Sequence, residues 1–396
     1  MPPVAITACT VTSALGRGRD AHLEALTRRR GGLAANDFTS TALPCAIGRV
    51  AGIEAVRVPT ECASLDCRNN RLAWLGLAGD GFLDAAHGAV ERHGAARVAL
   101  AAATSTGSIG ATEEAYRSLD GGRLPARLLE PALHLPHSLG LFLAAVLGTR
   151  GPCQTVATAC SSSAKVFAQA ERWLRLGLAD AVVVAGVDSL CDSVLFGFNA
   201  LELVSPEPCR PFDRARRGLS IGEAAGFALL ERADAGNAAV PRLAGYGESS
   251  DAFHMSSPHP DGLGARLAID GALARSGLAA DDIDYINLHG TATARNDAVE
   301  AALVARMFPP STRASSTKGW TGHTLGAAGI VEAVLTLLAL GNDLVPGTLN
   351  TTDPDPACGP QLALANEVKS LRVALSNSFG FGGNNTTLAF FAGARA

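Results

Sequence analysis

The sequence predicts an α/β protein whose sheets are covered on both faces. Three observations carry this. Short, nearly all-apolar runs alternate with longer Ala/Leu-rich stretches along the 396 residues, the pattern of buried strands set between helices. Hydrophobic residues make up 47% of the chain and charged residues 18%, so a large core can form and disorder is excluded. The two parts of the chain also read alike. Strand followed by a hydroxyl-rich turn occurs at Arg97–Gly107 and again at Tyr285–Thr293. A Gly/Ser/Thr-rich turn feeding an Ala-rich helix occurs at Ala159–Leu176 and at Thr321–Leu340. Two similar halves, 1–238 and 239–396, joined near Asp234–Pro241, are expected.

The runs Val4–Ala8, Ala96–Ala103, Ala181–Ala185, Phe227–Leu230, Ile283–Leu288 and Val373–Ser376 read as buried strands, because consecutive positions are apolar rather than alternate ones. Ser162–Leu176, Ala265–Ser276 and Ile330–Leu340 read as helices. The N-terminus has no basic start before its apolar stretch and reads as a strand, not a leader. No uninterrupted apolar run reaches the length of a membrane span, so none is expected. A net charge of −4 gives no reason to expect a nucleic-acid partner, and an acidic protein partner would need a local basic patch. Nine cysteines, scattered without a CxxC pair, predict reduced thiols in a cytoplasmic protein.

Four segments carry chemistry. Thr155–Ser163 (Thr-Val-Ala-Thr-Ala-Cys-Ser-Ser-Ser) puts Cys160 where a β-rich stretch gives way to a helix. The N–H groups and dipole there favour a thiolate and can serve an oxyanion; a small buried Cys beside a Ser cap reads as well from these residues alone. Leu288–Asp297 places His289 at a strand end, where α/β proteins expose reactive groups, although a satisfied core histidine fits too. Ser315–Gly329 holds Lys318 and His323 in a Gly-rich turn before a helix, without the spacing of a nucleotide-binding loop. Asn377–Asn385 (Asn-Ser-Phe-Gly-Phe-Gly-Gly-Asn-Asn) permits an unusual backbone carrying two Phe, or a plain glycine-rich turn. His254 and His259 have no ligand spacing, so no metal is expected, and no nicotinamide or flavin fingerprint is present.

Together with Arg210-Pro-Phe-Asp213 and Ile221-Gly-Glu-Ala-Ala-Gly226, these segments resemble the β-ketoacyl-acyl carrier protein synthases of the thiolase superfamily, over nearly the whole chain. The resemblance implies a duplicated fold layered α-β-α-β-α with two mixed sheets. It also implies an acyltransferase that condenses an acyl group held on Cys160 with malonyl-carrier, releasing CO₂. By the same resemblance His289 and His323 are the histidine pair, Lys318 the supporting lysine, and Glu300 the acid that pairs with it. Glu332 matches a buried structural or cation-binding acid. Thr291 and Thr293 match hydroxyls that hold the phosphopantetheine arm. Phe381 matches the residue that completes the oxyanion hole and gates the pocket with Phe379. Thr106 and Ser108, in the Ser105–Gly110 stretch, match the far wall of the acyl pocket. Arg68 and Arg71 match a carrier-docking pair on one exposed helix face. The implied partners are acyl carrier protein and a second chain, identical or a nucleophile-less paralogue. The phosphopantetheine arm comes with the substrate, and no resident cofactor is implied.

Three rivals fit less well. A thiolase needs a second Cys in the C-terminal Gly-rich loop, where this chain has Phe379 and Phe381. An initiating synthase would carry Asn where His323 stands. A chain-length factor, the non-catalytic partner in type II polyketide systems, would lack Cys160. Within the family the short segment before Arg210-Pro, and the string His-Gly-Thr-Ala-Thr-Ala-Arg-Asn-Asp from His289, look closer to the aryl polyene branch than to fatty-acid elongation.

Overall fold

The computed structural model describes residues 2–234, 236–237 and 239–394. The boundary expected at 238/239 falls on Ala238, which lies outside the described residues, as do the chain ends Met1 and Ala396.

Ten strands form one hydrogen-bonded path among the described residues. In the first half they are β1 (Val4–Ser13), β2 (Val98–Ala103), β3 (Cys153–Val156), β4 (Ala181–Asp188) and β5 (Ala224–Arg232). In the second they are β6 (Arg242–Ser250), β7 (Tyr285–Asn287), β8 (Arg313–Ser315), β9 (Val373–Gly380) and β10 (Asn384–Phe391). The first half is ordered β3-β2-β4-β5-β1 and the second β8-β7-β9-β10-β6, so strand order repeats position for position. The directions repeat as well. In each half the three outermost strands are parallel, the fourth runs against them, and the innermost runs against the fourth. These are two mixed sheets of one design, and β1 and β6 join them through Val4–Leu243 and Ala5–Arg242.

Helices complete five layers. One outer layer holds α1 (Arg68–Leu77), α2 (Phe82–His93) and α3 (Ser138–Leu147); the central layer holds α4 (Ser162–Arg175). After α5 (Asp192–Ala200), the other outer layer holds α6 (Leu263–Ser276) and α7 (Ala294–Met307), and α8 (Ala328–Asn342) joins α4 in the centre. The continuous apolar runs are explained by burial on both faces. On β4, Val183, Ala185 and Val187 face Leu72, Phe82 and Phe142 of the outer layer, while Val182 and Val184 face Val166, Phe167 and Ile330 in the centre. Burying each such Val, Leu or Ile contributes about 1.5–3 kcal/mol. The second sheet repeats this: Ile286, Leu288 and Leu375 pack on Ile269, Leu303 and Val304.

The stretch Leu325–Asn342 is apolar enough on average to cross a membrane, yet 83% of it is buried inside the protein. Its composition is that of a core helix touching both sheets. α4 and α8 cross closely at Gly329, where a Cβ would come within 2.4 Å of the Ala164 N. β6, Arg-Leu-Ala-Gly-Tyr-Gly-Glu-Ser-Ser, was not legible as a strand. A Cβ at Gly247 would lie 1.8 Å from the Ala268 carbonyl oxygen, so the strand gives up a side chain to let α6 lie directly on it.

Candidate active site

The chain leaves β3 and turns through Ala159, whose φ of 53° is unusual for a residue with a Cβ. The Ser162 hydroxyl holds this turn, donating to the Ala159 carbonyl at 2.5 Å and accepting the Thr158 N–H at 2.8 Å. Cys160 therefore sits at the mouth of α4, only 6% exposed. Burial pushes its thiol up to about 11, while the Lys318 charge and the Phe381 N–H pull it down. This corrects the expectation of a lowered pKa: desolvation outweighs the positive groups around the sulfur, and the resting thiol is neutral.

His289 follows β7 and His323 follows β8, on the second half of the chain. Their rings lie edge to face with centroids 5.4 Å apart. The Lys318 Nζ lies 3.3 Å from the His289 Nδ1, and the Leu325 N–H donates to the His323 Nδ1 at 3.2 Å. Both Nδ1 atoms face donors, so the protons reside on Nε2 of each ring. Burial lowers both imidazoles well below the usual histidine range, and the Lys318 charge adds to this. Both rings are neutral.

The acids differ from the expected pairing. Lys318 bonds Glu332, and its Nζ also donates to the His289 carbonyl at 2.5 Å. Glu300 does not pair with the lysine. It accepts the N–H groups of His289 and Gly290 at 2.9 and 2.8 Å, and the Asn377 amide at 3.1 Å. The eleven-residue spacing from His289 puts Glu300 on α7 under the turn that carries the histidine, where it satisfies backbone donors. Burial raises both carboxyls to about 7. The second Glu332 oxygen has no hydrogen-bond partner, and among the described residues no cluster of His, Cys, Asp and Glu is arranged to hold a metal.

Cys160, His289 and His323 line one cavity of about 360 Å³, with Thr291, Thr293, Phe379 and Phe381 on its walls. The two threonine hydroxyls are 2.9 Å apart. Phe381 stacks on Phe198 of α5 at 5.7 Å, and Phe379 lies 5.9 Å from the His289 ring. Phe198 was missed from sequence, since one Phe in Phe-Gly-Phe carries no local signal. Arg295, also missed, lines the cavity and donates to the Ser257 hydroxyl at 2.9 Å.

Thr106 and Ser108 do not line this cavity. The Thr106 hydroxyl donates to Asp188 at 2.6 Å and that of Ser108 to the Leu135 carbonyl at 3.2 Å. The docking pair is corrected as well. Arg68 grips the buried Glu223 with two bonds, at 3.0 and 2.7 Å, and also bonds Glu54. Arg71 forms a two-pronged bond with Asp66 at 2.6 and 2.8 Å. Their charges are committed internally and do not form a free basic face.

A buried thiol on one repeat, facing two neutral imidazoles and a lysine on the other within a five-layered α/β fold, defines a thiolase-like condensing enzyme. The comparisons narrow this class. Residues 80–235 match the family described as "Beta-ketoacyl synthase, N-terminal domain" and 241–352 its "C-terminal domain" counterpart. The chain is 36% identical to nodulation protein E of Rhizobium meliloti over 77% of its own length and 80% of that protein. It is 41% identical to the mitochondrial 3-oxoacyl-[acyl-carrier-protein] synthase of Arabidopsis thaliana over 61% of its own length, an alignment that spans 57% of that protein. Among solved structures, the ketosynthase ApeO in complex with its chain length factor ApeC from Xenorhabdus doucetiae superposes with a TM-score of 0.90, at 34% identity over 99% of this chain and 98% of that one. The chain belongs to the β-ketoacyl synthase family.

Proposed function

We propose that this chain is the catalytic ketosynthase of a two-chain condensing enzyme that elongates carrier-bound acyl chains in the aryl polyene branch of the family. One observation carries the mechanism: the Nδ1 atoms of His289 and His323 both face donors, which leaves two Nε2–H groups for the cavity that both rings line. In the first half-reaction the Cys160 sulfur attacks the acyl thioester. The N–H groups of Cys160 and Phe381 receive the oxyanion, and the thiol proton ends on the departing carrier thiol. In the second, malonyl-carrier enters with its phosphopantetheine arm held by the Thr291 and Thr293 hydroxyls. As its carboxylate leaves as CO₂, the two Nε2–H groups hold the thioester oxygen on which enolate charge develops. The enolate carbon then attacks the acyl carbonyl, and the Cys160 sulfur departs as a thiolate that takes a proton from water to restore the resting thiol. Neutral imidazoles suit this step, because they donate without competing for the proton. No resident cofactor is needed.

The likeness to the ApeO ketosynthase, solved with a chain length factor, supports the branch and a paralogous partner. The surface supports a partner too. β3 is the edge of the path, with backbone groups on its outer side that a second chain of this fold could pair, and Tyr116, Leu119, Leu129 and Leu135 are exposed large apolar residues of the same half. The nine free thiols support a cytoplasmic setting. Incubation of the purified chain, with and without such a partner, with saturated and polyenoyl carrier thioesters plus malonyl-carrier tests the reading. Condensation only with polyenoyl chains supports the branch, and preference for saturated chains moves the enzyme to fatty-acid elongation.

A further inference from the structure

The strand β4 ends in a carboxylate that the mechanism does not use. Asp188 is fully buried, and among the described residues no cationic side chain pairs with it. Its charge is met by neutral donors from two distant segments. From the turn after β2 come the N–H groups of Ser105 (3.0 Å) and Thr106 (2.8 Å) and the hydroxyls of Thr104 (2.5 Å), Ser105 (3.0 Å) and Thr106 (2.6 Å). From the second repeat comes the Gly326 N–H at 2.5 Å, an amide that also reaches the Ser105 hydroxyl oxygen at 3.1 Å. Burying a carboxylate is costly unless its oxygens are hydrogen-bonded, and here six donors, one of them from the other repeat, converge on it.

The Gly326 contact shows what the arrangement holds. Gly326 directly follows Leu325, whose φ of 56° is strained for a branched side chain. In that conformation the Leu325 N–H points back to the His323 Nδ1 at 3.2 Å, the bond that keeps the His323 proton on Nε2. Released from its anchor, Leu325 would relax toward negative φ and withdraw this donor. We infer that Asp188 is a positioning residue which, through Gly326 and the strained Leu325, sets the tautomer and aim of His323 and ties it to the Thr104–Thr106 turn. The inference rests on the reading of His323 as a hydrogen-bond donor to the malonyl thioester.

The two repeats thereby exchange support. The first supplies the carboxylate that arms a histidine of the second, and a change in the Thr104–Thr106 turn is transmitted to the decarboxylating site through one side chain. Asp188→Asn turns an amide N–H₂ toward N–H donors and loosens the anchor. Ser105→Ala removes one donor to Asp188 and one acceptor for Gly326, and serves as the milder change should the first variant not fold.

The test uses the full chain with its partner and has two readouts. In long-range ¹H–¹⁵N spectra of histidine-labelled protein, with His323 assigned from a His323→Gln control, the variant should show His323 shifted from the Nε2–H form toward Nδ1–H. In single-turnover assays, CO₂ release should fall by about a hundredfold in Asp188→Asn, the scale of a misplaced catalytic group, with acyl-Cys160 still formed. A folded variant whose His323 keeps the Nε2–H form overturns the inference. So does an equal fall of both half-reactions, which a structural role predicts. The spectra do not depend on turnover, so a wild-type protein that never acylates Cys160 would sink the condensing mechanism while leaving the role of Asp188 to be judged by the tautomer.

Discussion

Lys318 holds His289 at two points, with its Nζ 2.5 Å from the carbonyl oxygen and 3.3 Å from Nδ1 of the same residue, while its charge is balanced by Glu332. Removing the ammonium strands a buried carboxylate. Lys318→Met should destabilise the fold by about 3–5 kcal/mol and free the His289 tautomer. The double variant Lys318→Met/Glu332→Leu should recover most of the stability and none of the decarboxylation. Denaturant melts and CO₂ release on the three proteins check this, and full activity in the double variant would remove Lys318 from the mechanism.

Cys160→Ala should abolish acyl transfer and condensation. Cys160 should also be the thiol labelled by mechanism-based inhibitors of condensing enzymes, found by peptide mass mapping. Because the resting thiol lies near 11, generic alkylation at neutral pH should be slow there despite the central position of the residue. A label on another cysteine, with Cys160→Ala still condensing, would overturn the assignment.

His289→Ala and His323→Ala should each leave acyl-Cys160 formation measurable by intact mass and lower CO₂ release by about 10²–10³-fold, the cost of one oxyanion donor. The asymmetry follows from charge that develops only in the second half-reaction. Normal CO₂ release in both variants would refute the enolate role.

The buried imidazoles make stability depend on pH in a defined direction. The folded pKa of His323 lies well below its ordinary value, so below about 6.5 the unfolded chain takes up a proton that the folded chain does not. Stability is then lost as pH falls. At pH 5.5 one such group costs about 1.4 kcal/mol relative to pH 8. His323→Asn should therefore lose less stability than the wild type between these pH values, by about that amount, in urea melts. Parallel pH profiles would place a charged imidazole in the folded site.

Arg295 and Arg68 are arginines of two kinds. Arg295 lines the cavity and has an exposed head, so Arg295→Glu should raise KM for acidic carrier substrates and weaken its salt dependence. Arg68→Glu should act on folding instead, because it leaves the buried Glu223 facing a like charge. A KM effect confined to Arg68→Glu would restore the original docking face.

The sequence carries the layered α/β class and the reactive residues, and it fails where tertiary contact decides. The nine expected strands and helices all fall within or across elements of the expected type, because burial on both faces writes itself as continuous apolar runs. β6 was illegible because the approach of α6 replaced its side chains with glycine. Glu300 and Glu332 are both buried acids near Lys318 in the fold, and their spacings from His289 do not say which one faces the ammonium and which one the backbone. Arg68 and Arg71 share a helix face as expected, but the carboxylates that occupy them come from Asp66, Glu54 and Glu223, the last 155 residues away.

The nucleophile belongs to one repeat and both imidazoles to the other, so their separation is a dimension between two bodies that meet at the strand joint, at the Asp188–Gly326 bond and along α8, which packs on both sheets. The crossing at Gly329 is one gauge block of that assembly. Its thickness is one missing methyl group, since a Cβ there would press on the Ala164 N. A residue that bears no functional group and never meets the substrate thus helps set how closely the two halves of the catalytic apparatus approach.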